Sequence, residues 1–150
     1  MFSHILVPLD GSMLAEKALE KAVALAVENE ASLTLFRVYE AQQALAAPSS
    51  RLDTYHLVVT AEAAQKQAEA YLREKMADVC MQVPHVETAT LQLTGRIGEM
   101  IADYAEAHQV DLILMTSHGY TGVRRWILGS VTTETICATT CPVLVVPADD

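Results

Sequence analysis

The chain has 150 residues, which suits one domain with a single core, and its 51% of hydrophobic and 19% of charged residues exclude a disordered protein. Its formal net charge of -9 excludes sequence-independent binding of nucleic acid, which requires clustered Lys and Arg. No apolar run reaches the roughly 20 residues that cross a bilayer, and the N-terminus lacks the pattern of a signal peptide. We therefore expect a cytoplasmic protein with neither membrane nor nucleic-acid partners.

The first part of the sequence predicts two strands and two helices. Residues 3–9 form an apolar strand, and Ser12 is a candidate N-cap for a helix that runs to about residue 29. Residues 32–39 are rich in β-branched and aromatic side chains, which favour a second strand. Residues 41–56 have no period and predict a loop, and a helix is expected over about 57–80.

The second part continues the alternation. Strands are expected at 86–93, 110–116 and 142–146, with helices over about 95–109 and from Ser130 to about Thr139. Such alternation predicts an α/β fold with a parallel sheet and helices on both faces. The strongly apolar first, fourth and last strands predict burial on both faces. With no linker or repeat in the sequence, we expect one domain over residues 1–150.

The stretch "MTSHGYTGVRRWILGSV" (115–131) lies between the fourth strand and the fourth helix. Ligands of such folds bind beyond the carboxyl ends of the strands. Gly119, Gly129 and Ser130 could let backbone amides and a helix N-terminus approach a phosphate, or they could only turn the chain and cap the helix. The sequence has neither GxGxxG after the first strand nor GxxxxGK[ST], which excludes a Walker-type ATPase and a standard dinucleotide dehydrogenase.

Several single residues are compatible with either a functional or a structural role. Asp10 ends the first strand, where its carboxylate could accept from a ribose hydroxyl or stabilise the first helix. His118 lies in the glycine-flanked turn but has no evident catalytic partner, so we predict no catalytic residue. At most one of Arg124 and Arg125 is expected to contact a phosphate, and Trp126 to pack the loop onto the domain.

Cysteine and histidine usage predicts neither a disulfide framework nor a metal site. Three cysteines cannot all pair within one chain, and Cys80, Cys137 and Cys141 form no C-x-x-C motif. We expect reduced structural thiols. The histidines are scattered without a metal-ligand spacing, so no structural metal is predicted.

Three segments resemble the universal stress protein family: "ILVPLDGS", "DLILMTSHGYTGVRRWILGSV" and "CPVLVVP". The resemblance covers essentially the whole chain. It implies a doubly wound, Rossmann-like sheet of five parallel strands in the order 3-2-1-4-5, and in many members an ATP site with the pattern G-x2-G-x9-G-[ST]. Gly119, the nine residues after it and Gly129-Ser130 match this pattern, whereas Thr116 stands at the first glycine.

The effect of Thr116 depends on its backbone. A positive φ would make a branched residue costly there, by about 1 kcal/mol or more. Because the position ends a strand, we expect an extended φ, with a hydroxyl able to donate to a ribose or phosphate oxygen.

The resemblance also implies roles for particular residues in this chain. The adenine is expected against apolar residues at strand ends, with the backbone of Val38 reading the base edge: Pro8, Leu9, Val38 and Met115. Asp10 is expected near the ribose. The phosphates are expected at the two segments that follow the fourth strand and open the fourth helix: Thr116, Ser117, His118, Gly119, Tyr120, Thr121, Gly122, Gly129, Ser130, Val131 and Thr132.

An association surface follows from the implied strand order, because the last strand lies at a sheet edge. The resemblance implies a homodimer in which this strand pairs with its copy: Val143, Leu144, Val145 and Val146. We expect an ATP-binding regulatory or stress-tolerance factor with an unidentified protein partner, with Mg²⁺ arriving only with the nucleotide. The alternatives are a slow ATP hydrolase or adenylyl-transfer enzyme, and a dimeric interaction module that binds no nucleotide.

Overall fold

Strands and helices alternate along the chain in the computed structural model, which describes residues 1–41, 53–118 and 128–147. The elements are β1 (His4–Pro8), α1 (Met13–Asn29), β2 (Ser32–Tyr39), α2 (Asp53–Val79), β3 (Val86–Gln92), α3 (Ile97–Ala107), β4 (Leu112–Thr116), α4 (Ser130–Ala138) and β5 (Val143–Val146). Their order agrees with the alternation that the sequence predicts.

The strands form one parallel sheet in the order β3-β2-β1-β4-β5, as the family resemblance implies. The chain runs outward from β1 through β2 to β3, and then returns to the other side of β1 with β4 and β5. Strand order therefore reverses between β1 and β4. A crevice opens at the carboxyl ends of two such strands, since their connections leave in opposite directions.

Apolar side chains alternate between the two faces of the sheet and form two core clusters. On one face, Ile5, Leu33 and Leu114 pack with α1 and α2. On the other face, Phe36 and Met115 belong to a cluster that includes residues of α3. The carboxyl ends of β1, β2 and β4 thus meet α3 on the second face.

Local hydrogen bonds explain where the first helix begins and ends. The Ser12 hydroxyl accepts from the amide of Ala15 at 3.1 Å, so it is the N-cap that the sequence predicts. Glu30 ends α1 with φ 55°, and its amide bonds to carbonyls of the last turn. β2 then begins two residues later.

Two expectations about element limits are wrong. Residues 53–56 belong to α2 rather than to the predicted loop, since the helix begins at Asp53. β5 is not buried on both faces: it lies at the sheet edge, and Leu144 is 42% exposed. Its neighbour β4 covers only part of β5, although the sequence of β5 is as apolar as that of a central strand.

The three cysteines are free. Cys80 and Cys137 are exposed, so the expected structural role is wrong for these two residues. Cys141 is half-buried, and burial raises the pKa of its thiol. Within the described ranges, no helix has the length and apolar character needed to span a membrane.

Candidate functional site

A cavity of about 220 Å³ lies where β1, β2 and β4 end, with α3 and the first turn of α4 forming its walls. This is the crevice expected where the strand order reverses. Its lining consists of Pro8, Leu9, Asp10, Phe36, Val38, Ile97, Ile101, Met115, Thr116, Gly129, Ser130, Val131 and Thr132.

Most of the residues singled out in the sequence line this cavity. Ser117 and His118 do not. The rest of the glycine-containing loop lies outside the described residues: Gly119, Tyr120, Thr121, Gly122, Arg124, Arg125 and Trp126. The structure thus brings Asp10 and the start of α4 into one cavity.

Three apolar residues line the cavity although the sequence analysis does not predict them there. Phe36 precedes Val38 by two positions in β2, and Ile97 and Ile101 are one turn apart in α3. The only signal was spacing, because strand residues i and i+2, and helix residues i and i+4, share a face. With Val38 and Met115 they form an apolar wall suited to a flat ring. The Phe36 ring also packs on Tyr104, with centroids 4.7 Å apart.

Asp10 supplies a carboxylate at the rim of the cavity. One of its oxygens accepts from the amide of Ser12 at 2.8 Å, which closes a tight turn. A carboxylate has about four lone-pair sites, so Asp10 retains capacity for ligand hydroxyls. Gly11 between them has φ +87°, a conformation that favours glycine.

A polar network lies against this turn. A Cβ added at Gly11 would lie 3.1 Å from the guanidinium of Arg37, which in turn stands 4.7 Å from the centre of the Tyr71 ring. The Tyr71 hydroxyl donates to Glu16 at 3.3 Å. Burial, and then the charge of Glu16, raise the pKa of Tyr71 far above its usual value, so the phenol keeps its proton. The network holds α1 and α2 together beside Asp10.

The N-terminus of α4 presents backbone donors to the cavity. Gly129 is its N-cap, no side chain of the described residues caps this end, and the first turn has no acidic residue. The first amides of a helix have no intrahelical acceptor, and here they belong to Ser130, Val131 and Thr132. The dipole adds about half a positive charge. This end of the cavity therefore favours an anion.

Thr116 closes the end of β4. Among the described residues other than glycine, only Glu30 and Gln109 have a positive φ, so the backbone of Thr116 carries no such strain. Its side chain is buried, and the hydroxyl donates to the carbonyl of His118 at 2.8 Å. In this structure the proton is therefore directed at the His118 carbonyl, and its donation to a ligand oxygen stays a prediction.

His118 is buried next to this turn. Its Nδ1 lies 3.1 Å from the hydroxyl of Ser117, whereas its Nε2 is buried and has no hydrogen-bond partner among the described residues. It does not line the cavity. The imidazole thus lies at the end of β4, and the predicted contact of His118 with a phosphate stays a prediction.

The fold and the position of the cavity define a Rossmann-like α/β protein with a crevice at the carboxyl ends of its central strands. Residues 1–147 match the universal stress protein family, and the chain belongs to this family. Universal stress protein YxiE of Bacillus subtilis is 30% identical over 150 residues, covering 97% of this chain and 99% of YxiE. The solved structure of UspA from Lactobacillus plantarum aligns with a TM-score of 0.79 and 27% identity, covering 97% of both chains.

Two more distant structures share the fold and are described as nucleotide complexes. A universal stress protein in complex with cAMP aligns with a TM-score of 0.67 and 20% identity over 99% of both chains. The universal stress protein from Archaeoglobus fulgidus in complex with dAMP aligns with a TM-score of 0.60 and 16% identity over 97% of both chains. Adenine nucleotides therefore bind to some proteins with this fold.

Proposed function

We propose that this protein binds an adenine nucleotide, with ATP as the principal ligand, and acts as a nucleotide-dependent regulatory or stress-tolerance factor. The observation that carries the proposal is one cavity with an apolar wall, a carboxylate at its rim and a helix N-terminus that no described side chain caps. A base, a ribose and a phosphate need these three surfaces. The cAMP and dAMP complexes of two relatives support the choice of adenine.

The backbone of β2 supports recognition of the base. The carbonyl of Phe36 accepts from Leu9 next to β1, and that of Tyr39 accepts from Leu93 next to β3. Because neighbouring residues of a strand direct these groups to opposite sides, the amide and carbonyl of Val38 face the β1 side, beyond the last residue of β1. They match the acceptor and amino donor of adenine.

The polar end of the cavity suggests where the rest of the nucleotide lies. We place the ribose near Asp10 and the phosphates at the amides of Ser130, Val131 and Thr132, whereas a phosphate contact of residues 117–122 stays a prediction. No group of three or more His, Cys, Asp or Glu side chains suited to a metal occurs in the part of the chain that the structure describes. Mg²⁺ would accordingly be held by phosphate and water.

Regulation is favoured over turnover because His118, the candidate general base, does not line the cavity. The three free cysteines are consistent with a reducing compartment. We therefore propose a cytoplasmic, single-domain protein that forms a homodimer through β5 and signals its nucleotide state to a protein partner.

Isothermal titration with ATP, adenosine and GTP tests the binding proposal. We expect ATP to bind, and GTP to bind at least about tenfold more weakly, since a guanine carbonyl replaces the adenine amino group and one unmatched pair costs about 1.4 kcal/mol. Mass spectrometry of the denatured protein should also detect any nucleotide retained on purification. Absence of ATP binding at millimolar ligand would contradict the proposal.

Asp10→Asn sharpens the test, because asparagine keeps an oxygen that can accept from Ser12 but loses the charge and replaces the other oxygen by an amide donor. We expect about tenfold weaker binding of both ATP and adenosine, because hydrogen bonds to a charged group are worth about 1.5–3 kcal/mol. Asp103→Asn makes the same charge change at an exposed position of α3 outside the cavity lining. Equal affinities of the two variants would remove Asp10 from the site.

A further inference from the structure

Two hydrogen bonds connect the first turn of α4 to the end of β4. The amide of Gly129 donates to the carbonyl of Ser117 at 2.7 Å, and the hydroxyl of Thr132 donates to the carbonyl of Thr116 at 2.9 Å. Both acceptors are backbone groups at the strand end. The contacts join the cavity lining of β4 directly to the helix end that we propose to face the phosphates.

The Thr132 bond is unlike the usual bond of a helical threonine. A threonine hydroxyl in a helix commonly donates to a carbonyl of its own preceding turn, as Thr135 does to Val131 at 2.8 Å. Thr132 instead reaches another element across 16 positions of sequence, and its side chain is only 3% exposed. Water cannot readily replace a donor in such a place.

A second set of hydrogen bonds holds α4 one turn further along the helix. The carboxylate of Glu134 accepts from the amide of Gly98 at 3.3 Å and from Arg96 at 3.0 Å. These contacts hold α4 against the N-terminus of α3. The direction of the first turn of α4 therefore depends on the hydrogen bonds of Gly129 and Thr132.

We propose that Thr132 is a positioning residue for phosphate binding: its hydroxyl, bonded to the Thr116 carbonyl, aims the first amides of α4 into the cavity. The inference rests on the proposed function and adds to it a side chain that sets affinity for the phosphates but not for the nucleoside. Backbone donors bind an anion well only when they are already directed at it. Loss of the bond leaves the apolar wall and Asp10 unchanged.

Thr132→Val tests the proposal, because valine has nearly the same shape without the hydroxyl. We expect ATP affinity to fall about tenfold and adenosine affinity to change by less than about twofold. Thr132→Ser should restore the native ratio of the two affinities. The matched control is Thr135→Val, the same change in the same helix at a fully buried residue whose hydroxyl bonds within α4. The ratio of ATP affinity to adenosine affinity in this variant should equal that of the wild type.

The outcomes separate the two proposals. If the wild type binds neither ligand, the proposed function fails, and the role of Thr132 fails with it. If the wild type binds ATP but Thr132→Val leaves the ratio unchanged, or Thr135→Val lowers it equally, only the positioning role is overturned. A native-protein readout covers the case in which the valine variant does not fold: the amide NMR signals of Ser130–Thr132 should shift with ATP but not with adenosine, and equal shifts would overturn the proposal.

Discussion

Thr116 departs from the glycine pattern that the family resemblance implies, and we expect it to leave the candidate site open. It is 6% exposed, its φ is not positive, and its hydroxyl bonds to the carbonyl of His118. We expect Thr116→Gly to gain no ATP affinity and to lower the free energy of unfolding by about 2 kcal/mol, from the lost hydrogen bond and the added backbone entropy. Urea denaturation and titration calorimetry measure both quantities.

Thr116→Ser is the control, because serine keeps the hydroxyl and lacks only the methyl group. Its free energy of unfolding should lie between those of the wild type and the glycine variant. A glycine variant that binds ATP about tenfold more tightly than the wild type would show instead that the native side chain obstructs the nucleotide.

Some residues of the candidate site were predictable from the sheet rule, and others came from the family resemblance. Asp10 and Thr116 follow from their places at strand ends, because the carboxyl ends of parallel strands meet at one edge. Met115 was implied by the resemblance alone. Ile97 and Ile101 have the same apolar spacing as core residues, and only the approach of α3 to the cavity distinguishes them. The bond between Thr116 and His118 depends on the path of the chain after β4, which no residue pattern indicates.

The approach of α3 to α4 depends on one glycine. A Cβ at Gly98 would lie 2.3 Å from the Cβ of Glu134 and 2.6 Å from the amide of Thr135, so the helices would have to separate. We expect Gly98→Ala to lower the free energy of unfolding by about 1–3 kcal/mol, the usual cost of overpacking. ATP binding should weaken as well, because Ile97 and Val131 line the cavity from these two helices.

Gly95→Ala is a matched control for this prediction, since no described residue other than Gly95 and its two chain neighbours has an atom within 4 Å of the added Cβ. Its unfolding midpoint in urea should stay close to that of the wild type. If both alanine variants unfold at the same urea concentration as the wild type, the close contact does not constrain the helices.

The elements themselves were predictable because hydrophobic period and end signals agree along most of the chain. Ser12 caps α1 as expected, and the strand at 32–39 begins and ends where the sequence indicates. β5 is the exception. An apolar run such as "VLVV" predicts burial, but only the position of the strand in the sheet decides how many neighbours cover it.

At the scale of the whole molecule, the order of strands came from the family resemblance, since alternation alone does not order a sheet. That order leaves β5 at an edge of the sheet. Its backbone amides and carbonyls point alternately toward β4 and away from it. The carbonyls of Pro142 and Val146 accept from β4, so alternate residues, Val143 and Val145, direct their amides and carbonyls away from β4. These outward groups are the ones that a second copy of β5 would use.

The proposed homodimer can therefore be disrupted with little effect on the sheet of one protomer. Val145→Pro removes an outward amide and leaves the bonds between β4 and β5 in place, because proline is tolerated at a sheet edge when its nitrogen faces outward. We expect the wild type and Val145→Thr to be dimers, and Val145→Pro to be a monomer that still binds ATP. Size-exclusion chromatography with light scattering distinguishes them. A monomeric wild type, or a proline variant that remains dimeric, would show that β5 does not join the subunits, and the exposed Leu144 would then need another cover.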